Sequence, residues 1–222
     1  MATPPRLEDT LIQGYTQLAS RAERRRTDVE LRVLDVALSL LLLVATLPLQ
    51  ALIALAILLT DGRPALYRGQ RVGRSGRFFT INKFRTLRVG AEERIGRHLG
   101  PDLVAATQAE YTRVGRWLKA SQLDELPQLW NVLRGDMSLV GPRPIRPRFF
   151  ADLAQDIPAY WQRLVVRPGL TGLAQMRRGY ETSMEEKLAH DLEWIADRGT
   201  ALYLRTLFAT AWRVLRQSVG RG

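Results

Sequence analysis

The chain has 222 residues, with 33 Lys and Arg against 22 Asp and Glu, a formal net charge of +11, two histidines and no cysteine. That length suits one domain with a sizeable core plus attachments, and leaves no room for a second full domain once a membrane segment is subtracted. The lack of cysteine excludes disulfides, thiolate nucleophiles and cysteine-ligated zinc, and His98 and His190 match no zinc spacing, so any bound metal is expected to be a hard ion held by oxygen. The basic excess is mostly arginine, whose guanidinium fork suits phosphate on nucleic acid, an anionic membrane surface or a small phosphorylated substrate.

Residues 7–34 read as a polar, charged helix ending in an arginine run at 24–26. Basic anchoring to anionic lipid head groups explains that run better than a nucleic-acid arm does. Residues 36–60 then form 25 consecutive uncharged positions, "VALSLLLLVATLPLQALIALAILLT". As a straight helix they would extend about 37 Å, enough to cross a hydrocarbon core of roughly 30 Å. The segment starts too far from the N-terminus, and lacks the small-residue site, expected of a cleaved signal peptide. Arg21, Arg24, Arg25, Arg26 and Arg32 precede it while Arg63, Arg68, Arg71, Arg74 and Arg77 follow it, so positive charge favours neither end for the far side. Pro48, at the midpoint, removes a helical hydrogen bond and clashes with the preceding turn. A re-entrant hairpin and a kinked spanning helix both remain open on these features.

Residues 61–87 carry glycine turns and an alternating run that predicts a strand or hairpin. Period two puts Ile81, Lys83 and Arg85 on one face, and two cations about 7 Å apart suit a diphosphate. A solvated edge strand protected by charge is the plainer account. In "SQLDELPQLWNVLRGDMSLVGPRP", residues 121–144, Leu123, Leu126, Leu129, Trp130 and Leu133 recur at helical spacing. Asp124, Gln128 and Asn131 follow the opposite face. Ser121 or Gln122 is the expected cap, Pro127 is tolerable only near the first turn, and Gly135 closes the helix. Asp124 and Glu125 are thereby set near a helix N-terminus, where acids commonly do no more than complement the dipole. The same place also keeps carboxylates ionised, able to hold a divalent cation or to attack phosphorus. Lys119 lies just upstream, and Arg143 is stiffened by Pro142 and Pro144. "VRPGLTGLAQMRR", residues 166–178, adds Arg167, Arg177 and Arg178, completing a set of cations of the kind phosphoryl transfer needs. Residues 185–219 read as helix interrupted near Gly199, with an apolar stripe of Leu204, Leu207, Phe208, Ala211, Trp212 and Leu215. That stripe suits a membrane-surface helix with snorkelling arginines, or a core helix.

Three stretches, "KFRTL" at 83–87, "LDELPQLWNVLRGDMSLVGPRP" at 123–144 and "RPGLTGLAQ" at 167–175, together resemble the bacterial sugar transferase family. These are monotopic polyprenyl-phosphate phosphoglycosyl transferases that initiate cell-surface glycan assembly, and the likeness covers roughly residues 30–215. It implies a small α/β, membrane-associated catalytic domain with a re-entrant membrane helix and amphipathic interfacial helices. The expected division is an N-terminal extension at 1–33, a re-entrant helix at 34–61, a catalytic domain at 62–185 and C-terminal amphipathic helices at 186–222. It also implies a place on the cytoplasmic face of the bacterial inner membrane, with Pro48 at the membrane bend. By position in the motifs, Asp124 matches the family's nucleophile and Glu125 its partner, the two sharing a Mg2+ ion. Lys83, Arg85, Lys119 and Arg143, with Arg167, Arg177 and Arg178, are the expected substrate-binding cations. The implied reaction moves a phosphosugar from a UDP-sugar to polyprenyl (undecaprenyl) phosphate through a covalent aspartyl-phosphosugar, releasing UMP. Membrane lipids are further expected partners, nucleic acid is not, and homo-oligomerisation through the N-terminal extension is left open. Departures from the family pattern are Gly69-Gln70 where glutamine is typically followed by an acid, Lys119 where arginine is frequent, Gln122 in place of a common serine, and Leu47 before Pro48. The rival function is a membrane-tethered basic binding module without catalysis. It leaves the acidic pair unexplained, since carboxylates repel phosphodiester backbones.

Overall fold

Helix α1 (Arg25–Thr60) is one continuous element that carries Pro48 inside it. Its leucine- and alanine-rich, glycine-free sequence favours helix throughout, and it runs past the expected division at residue 33. The computed structural model describes residues 25–95, 100–177 and 183–219; the proposed extension before Arg25 lies outside them. α1 is long and apolar enough to cross a membrane. Its two polar side chains near Pro48 are satisfied within the helix: Thr46 Oγ1 donates to the Leu42 carbonyl and Gln50 Nε2 donates to Thr46 Oγ1, as an apolar surrounding requires.

Burial along α1 falls at both ends and is lacking in the middle. Leu31, Asp35 and Ser39 at one end, and Ile53 and Ile57 at the other, are buried, whereas Leu41, Val44, Leu47 and Leu52 are each at least 60 % exposed. The first end is clasped by Asp35. Its Oδ1 accepts from Ser138 Oγ at 2.9 Å, from the Leu139 amide at 2.8 Å and from Tyr203 OH at 2.8 Å. At the second end Ile53 and Ile57 pack with Phe84 and Leu118. Fully burying each such side chain is worth about 1.5–3 kcal/mol.

Strands β1 (Leu66–Val72) and β2 (Phe78–Phe84) form an antiparallel hairpin running in register from Leu66 opposite Phe84 to Val72 opposite Phe78. Helices α2 (Ala91–Ile95), α3 (Gly100–Ala109) and α4 (Arg113–Ser121) follow. Thr112 caps α4 by accepting from the Gly115 amide at 2.9 Å. A 3-10 turn, Leu123–Glu125, leads into α5 (Gln128–Arg134), then come β3 (Ser138–Val140) and α6 (Pro147–Asp156). After a 3-10 stretch, Pro158–Val165, strand β4 (Gly169–Thr171) pairs parallel with β3. Helices α7 (Leu173–Arg177), α8 (Met184–Asp197) and α9 (Thr200–Val219) complete the described chain. The described residues thus form a mixed α/β, helix-rich fold with two small two-stranded sheets and one long apolar helix.

The largest core gathers Ile81 from the hairpin, Leu129 and Val132 from α5, Leu139 and Val140 from β3, and Trp194 and Tyr203 from the C-terminal helices. The β3–β4 seam admits only glycine: a Cβ at Gly169 would lie 2.0 Å from the Gly141 nitrogen. Backbone bonds from Gly141 N to the Thr171 carbonyl and from Gly169 N to the Pro142 carbonyl, each 2.8 Å, tie the two glycine-containing motifs together.

Two sequence expectations change in detail. The helix expected to contain Asp124 and Glu125 is divided, because Pro127 has no N–H to donate; the acids occupy the 3-10 turn and α5 starts after it. Ser121 is not its cap but the last residue of α4, and the Gln122 side chain makes no cap bond. Gly135 closes α5 as expected, at φ +91°. In α9 the stripe divides into a core-facing side and an exposed apolar side. Tyr203 and Thr206 are buried and Leu207 packs on the core, while Leu204, Phe208 and Trp212 stand exposed at i, i+4 and i+8.

Candidate active site

The acidic pair sits in the turn between α4 and α5, and α5 is locked to β2 by one buried asparagine. Asn131 Oδ1 accepts from the Asn82 amide at 3.0 Å and from Asn82 Nδ2 at 3.1 Å, and Asn131 Nδ2 donates to the Thr80 carbonyl at 2.7 Å. With Asn82 held in this way, the next residue, Lys83, meets the turn, and its Nζ donates to Glu125 Oε1 at 2.9 Å. Arg143 Nη2 stands 4.0 Å from that same oxygen. Lys119, in the last turn of α4, places Nζ 3.5 Å from Asp124 Oδ2.

Three cations therefore face two adjacent carboxylates, and the two acids respond in opposite directions. Burial would raise Glu125, but the charges of Lys83 and Arg143, with Lys119 behind them, hold its pKa at about 2. Asp124 is pushed above the ordinary carboxylate value, chiefly by burial and also by Glu125, against the pull of Lys119 and Lys83. Lys83 is lowered by burial and by the neighbouring Arg143 and Lys119 charges, only partly offset by Glu125. Burial and crowded cations thus lower the Lys83 pKa, and the cations keep Glu125 charged. Carboxylates driven apart in this way are suited to different tasks.

Asp124 is 3 % exposed, yet its Oδ1 has no hydrogen-bond partner among the described residues. Gln128, one turn on and 1 % exposed, has an amide nitrogen in the same condition. An unpartnered acceptor and an unpartnered donor, both buried and four residues apart, are costly unless a ligand supplies their bonds. Gln128 lies on the polar face that the sequence shows, but its burial on that face is a tertiary fact.

The Arg143 loop is held by a buried ion pair that the sequence gives no local sign of. Arg163 Nη2 donates to the Arg143 carbonyl at 2.9 Å, its Nε pairs with Asp191 Oδ2 at 2.8 Å, and its Nη1 donates to Tyr160 OH at 2.8 Å. Arg163 and Asp191 are positioning residues, spaced 28 apart in sequence.

Not every expected cation joins this group. Arg85, one residue past β2, is taken up elsewhere: it donates to the carbonyls of Asp61 and Gly62 at 2.8 and 2.6 Å, at the C-terminal end of α1. Arg167 donates to the Gly135 carbonyl at 2.9 Å and lines a separate cleft. Arg177 pairs with Glu193 on α8. Arg178 lies outside the described residues.

Among the described residues no three His, Asp or Glu side chains converge as a metal-binding group. A hard divalent ion here would draw on Asp124 and Glu125 and complete its shell from phosphate oxygens and water, the usual habit of magnesium. The unpartnered Asp124 Oδ1 fits that use.

A sequence model of the bacterial sugar transferase family matches residues 27–217. The chain is 44 % identical over 195 residues to the UDP-glucose:undecaprenyl-phosphate glucose-1-phosphate transferase of Caulobacter vibrioides, covering 83 % of this chain and 70 % of that protein. It is 34 % identical over 220 residues to the undecaprenyl-phosphate galactose phosphotransferase of Salmonella typhimurium, covering 95 % of this chain but 44 % of the relative. It is 33 % identical over 187 residues to the UDP-N-acetylgalactosamine-undecaprenyl-phosphate N-acetylgalactosaminephosphotransferase of Aeromonas hydrophila, with 83 % and 43 % covered. The chain thus spans most of the Caulobacter protein and less than half of the other two.

Proposed function

The chain belongs to the bacterial sugar transferase family, and from that premise we propose that it transfers a sugar phosphate from a UDP-sugar to polyprenyl phosphate at a membrane surface. The observation that carries this reading is the buried Asp124, with one free oxygen, beside a Glu125 that three cations keep ionised. An Asp124 oxygen attacks the β-phosphorus of the UDP-sugar, forming a new P–O bond as the bond to UMP breaks. An oxygen of polyprenyl phosphate then attacks that same phosphorus, and the aspartate leaves unchanged. The acceptor oxygen is already anionic, so no general base is required, and a Glu125 held at about 2 would be a poor one.

Lys83, Lys119 and Arg143 offset the charge of the diphosphate, and Gln128 offers an amide donor beside the nucleophile. Asp124 and Glu125 would hold magnesium, which when bound supplies further neutralisation of the phosphate oxygens. Burial serves the nucleophile, because a carboxylate stripped of water is more reactive than a hydrated one.

The packing of α1 supports a re-entrant, monotopic attachment. Arg32 donates to the carbonyls of Val132 and Leu133, Ile53 and Ile57 pack beside Leu118, and Leu126 touches the core groups at both ends. A straight helix would hold Arg32 and Ile57 about 37 Å apart, whereas α5 and the turn before it, which both ends contact, are far shorter. Single cysteines at Arg26 and Arg68, each labelled from the cytoplasmic side only, would fit this topology; labelling from opposite sides would mean a span.

The reaction is tested without acceptor. With a UDP-sugar and magnesium alone, the protein should release about one UMP per chain and add the mass of a phosphosugar to the peptide holding Asp124, the burst of a covalent route. Asp124→Asn should show neither. If rapid quenching finds no adduct and UMP release strictly needs the lipid, direct attack by the acceptor replaces the double displacement. The sugars in the relatives' names differ, so UDP-glucose, UDP-galactose and UDP-N-acetylgalactosamine form the first panel.

A further inference from the structure

A second basic cleft lies where α1 approaches its apolar segment. Asp28, Arg32 and Asp35 of α1 line it with Arg74, Arg167 and Arg198. Its free volume is about 30 Å³, and at roughly 10–15 Å³ per water that is room for two or three waters or one tetrahedral anion. Four guanidinium groups thus meet two carboxylates, and both carboxylates are engaged. Asp28 binds Arg198 Nε at 2.8 Å, and Asp35 Oδ1 receives three donors. Arg32 is spent on the Val132 and Leu133 carbonyls, and one nitrogen of Arg167 on Gly135. Among the described residues, the Arg74 guanidinium and the terminal nitrogens of Arg167 make no hydrogen bond. Burial, and the charges of Arg74 and Arg32, push the Arg167 pKa below its ordinary value, as crowded positive charge does.

The cleft is separate from the acidic pair. Arg74 lies in the turn beyond Val72 and Phe78, while Lys83 sits opposite Tyr67 near the other end of the hairpin, about 17 Å along the strands. It also has a defined depth. Asp35 is the last charged residue before the uncharged run, with Arg32 and Asp28 roughly 5 and 10 Å further out along the helix, the level of a head-group layer.

We infer that this cleft is a second anion site, taking a phosphate group at the membrane surface through Arg74 and Arg167. The inference does not rest on the catalytic reading. The phosphate belongs either to a lipid head group or to a free anion, and the same experiment separates the two.

The cysteine-free chain allows one reporter cysteine at the exposed Val29, bearing an environment-sensitive dye. In detergent, inorganic phosphate should change the dye signal saturably. Arg74→Ala, in a half-buried turn, should weaken that response about ten-fold, the loss expected for one charge-assisted hydrogen bond, and Arg74→Glu should weaken it further. Arg143→Ala, at the other site, should leave it in place. In vesicles of phosphatidylcholine with phosphatidylglycerol, a signal without added phosphate, lost in Arg74→Glu, assigns a lipid head group. A signal that needs free phosphate in both vesicles and detergent assigns a soluble anion. A dye that answers neither phosphate nor phosphatidylglycerol, or that answers equally in Arg74→Glu, overturns the inference.

Discussion

Replacing Lys119 by methionine should move the acid limb of the rate profile upward. On the proposed route Asp124 attacks as the carboxylate, and burial already raises its pKa; Lys119 is the strongest influence holding it down. The ammonium stands 3.5 Å from Asp124 Oδ2 and its side chain is about one-third exposed, so water screens the pair from the lysine side and the water-like limit is the least the charge can do. Two unit charges at that separation attract by about 1 kcal/mol in a water-like dielectric, and 1.36 kcal/mol corresponds to one pH unit. The midpoint of the acid limb should therefore rise by about one unit, the lower end of what a neighbouring charge does to a carboxylate.

The assay is the single-turnover rate of UMP release, at saturating UDP-sugar and magnesium, across the acid range. Saturation separates a titration shift from weaker binding of the diphosphate. Above the shifted midpoint the variant should approach the wild-type rate, and Lys119→Arg should restore the original position. The melting temperature should fall only modestly, since Lys119 is partly exposed while the buried Asp124 can protonate once its partner is gone. An acid limb that stays in place while the rate falls at every pH would show that Lys119 serves substrate alone and that Asp124 does not set the limb.

Lys83→Met should cost about 2–3 kcal/mol at neutral pH, because Glu125 then stays buried with only Arg143 and Lys119 to compensate it. Lowering of Glu125 from 4.5 to about 2 corresponds to about 3 kcal/mol, present above the ordinary carboxylate pKa and lost as pH falls through about 2. In the variant, burial lets Glu125 protonate at higher pH, so melts should show a smaller cost at mildly acidic pH and a partial rescue by Glu125→Gln; a cost independent of pH would count against the pairing. Asp35→Ala leaves three buried donors unpaired and should lose about 4 kcal/mol or more in denaturant titration, whereas Tyr203→Phe should lose about 1 kcal/mol. Arg85→Ala should lower stability and activity together, since it exposes the carbonyls ending α1, while Arg143→Ala should lower activity with little change in melting; the reverse pattern would exchange their roles.

The acidic pair, Lys83, Lys119 and Arg143 were legible in the sequence because the chemistry needs those residue types close to one another in motifs. What each other cation does was not legible. A strand alternation can put Lys83 and Arg85 on one face without saying which partners each side chain finds. Arg85 answers to the carbonyl ends of a helix over twenty residues away in sequence, which no local pattern encodes. Arg163 and Asp191 are hidden for the same reason: a buried pair across separate helices leaves no periodicity. Pro127 did announce that the acids lie at a helix start, but the break into a 3-10 turn depends on how α4 ends at Gln122, whose φ is +59°. The apolar stripe of α9 could not be divided into a core face and an exposed face until Tyr203 had a partner in Asp35.

The placement of an acidic pair in so basic a chain follows from charge balance within the site. Lys83, Lys119 and Arg143 gathered without counter-charge would repel one another at a cost that burial increases, and Lys83 is already lowered by burial despite having Glu125 at 2.9 Å. Two carboxylates make that cluster foldable. A UDP-sugar then brings its own negative charge into a site that is only slightly positive, which limits how tightly the diphosphate can be held. On the proposed double displacement, UMP leaves before the lipid acceptor attacks, and there that limit is useful, because a site that bound the diphosphate through bare cations would also retain the product. Neutralising either acid should therefore tighten UMP binding while slowing turnover. Asp124→Asn and Glu125→Gln both retain the shape of the turn, so calorimetric titration with UMP can separate this electrostatic effect from a change in fold. Weaker UMP binding in both variants would mean that the acids hold the nucleotide through a metal, rather than limiting its hold.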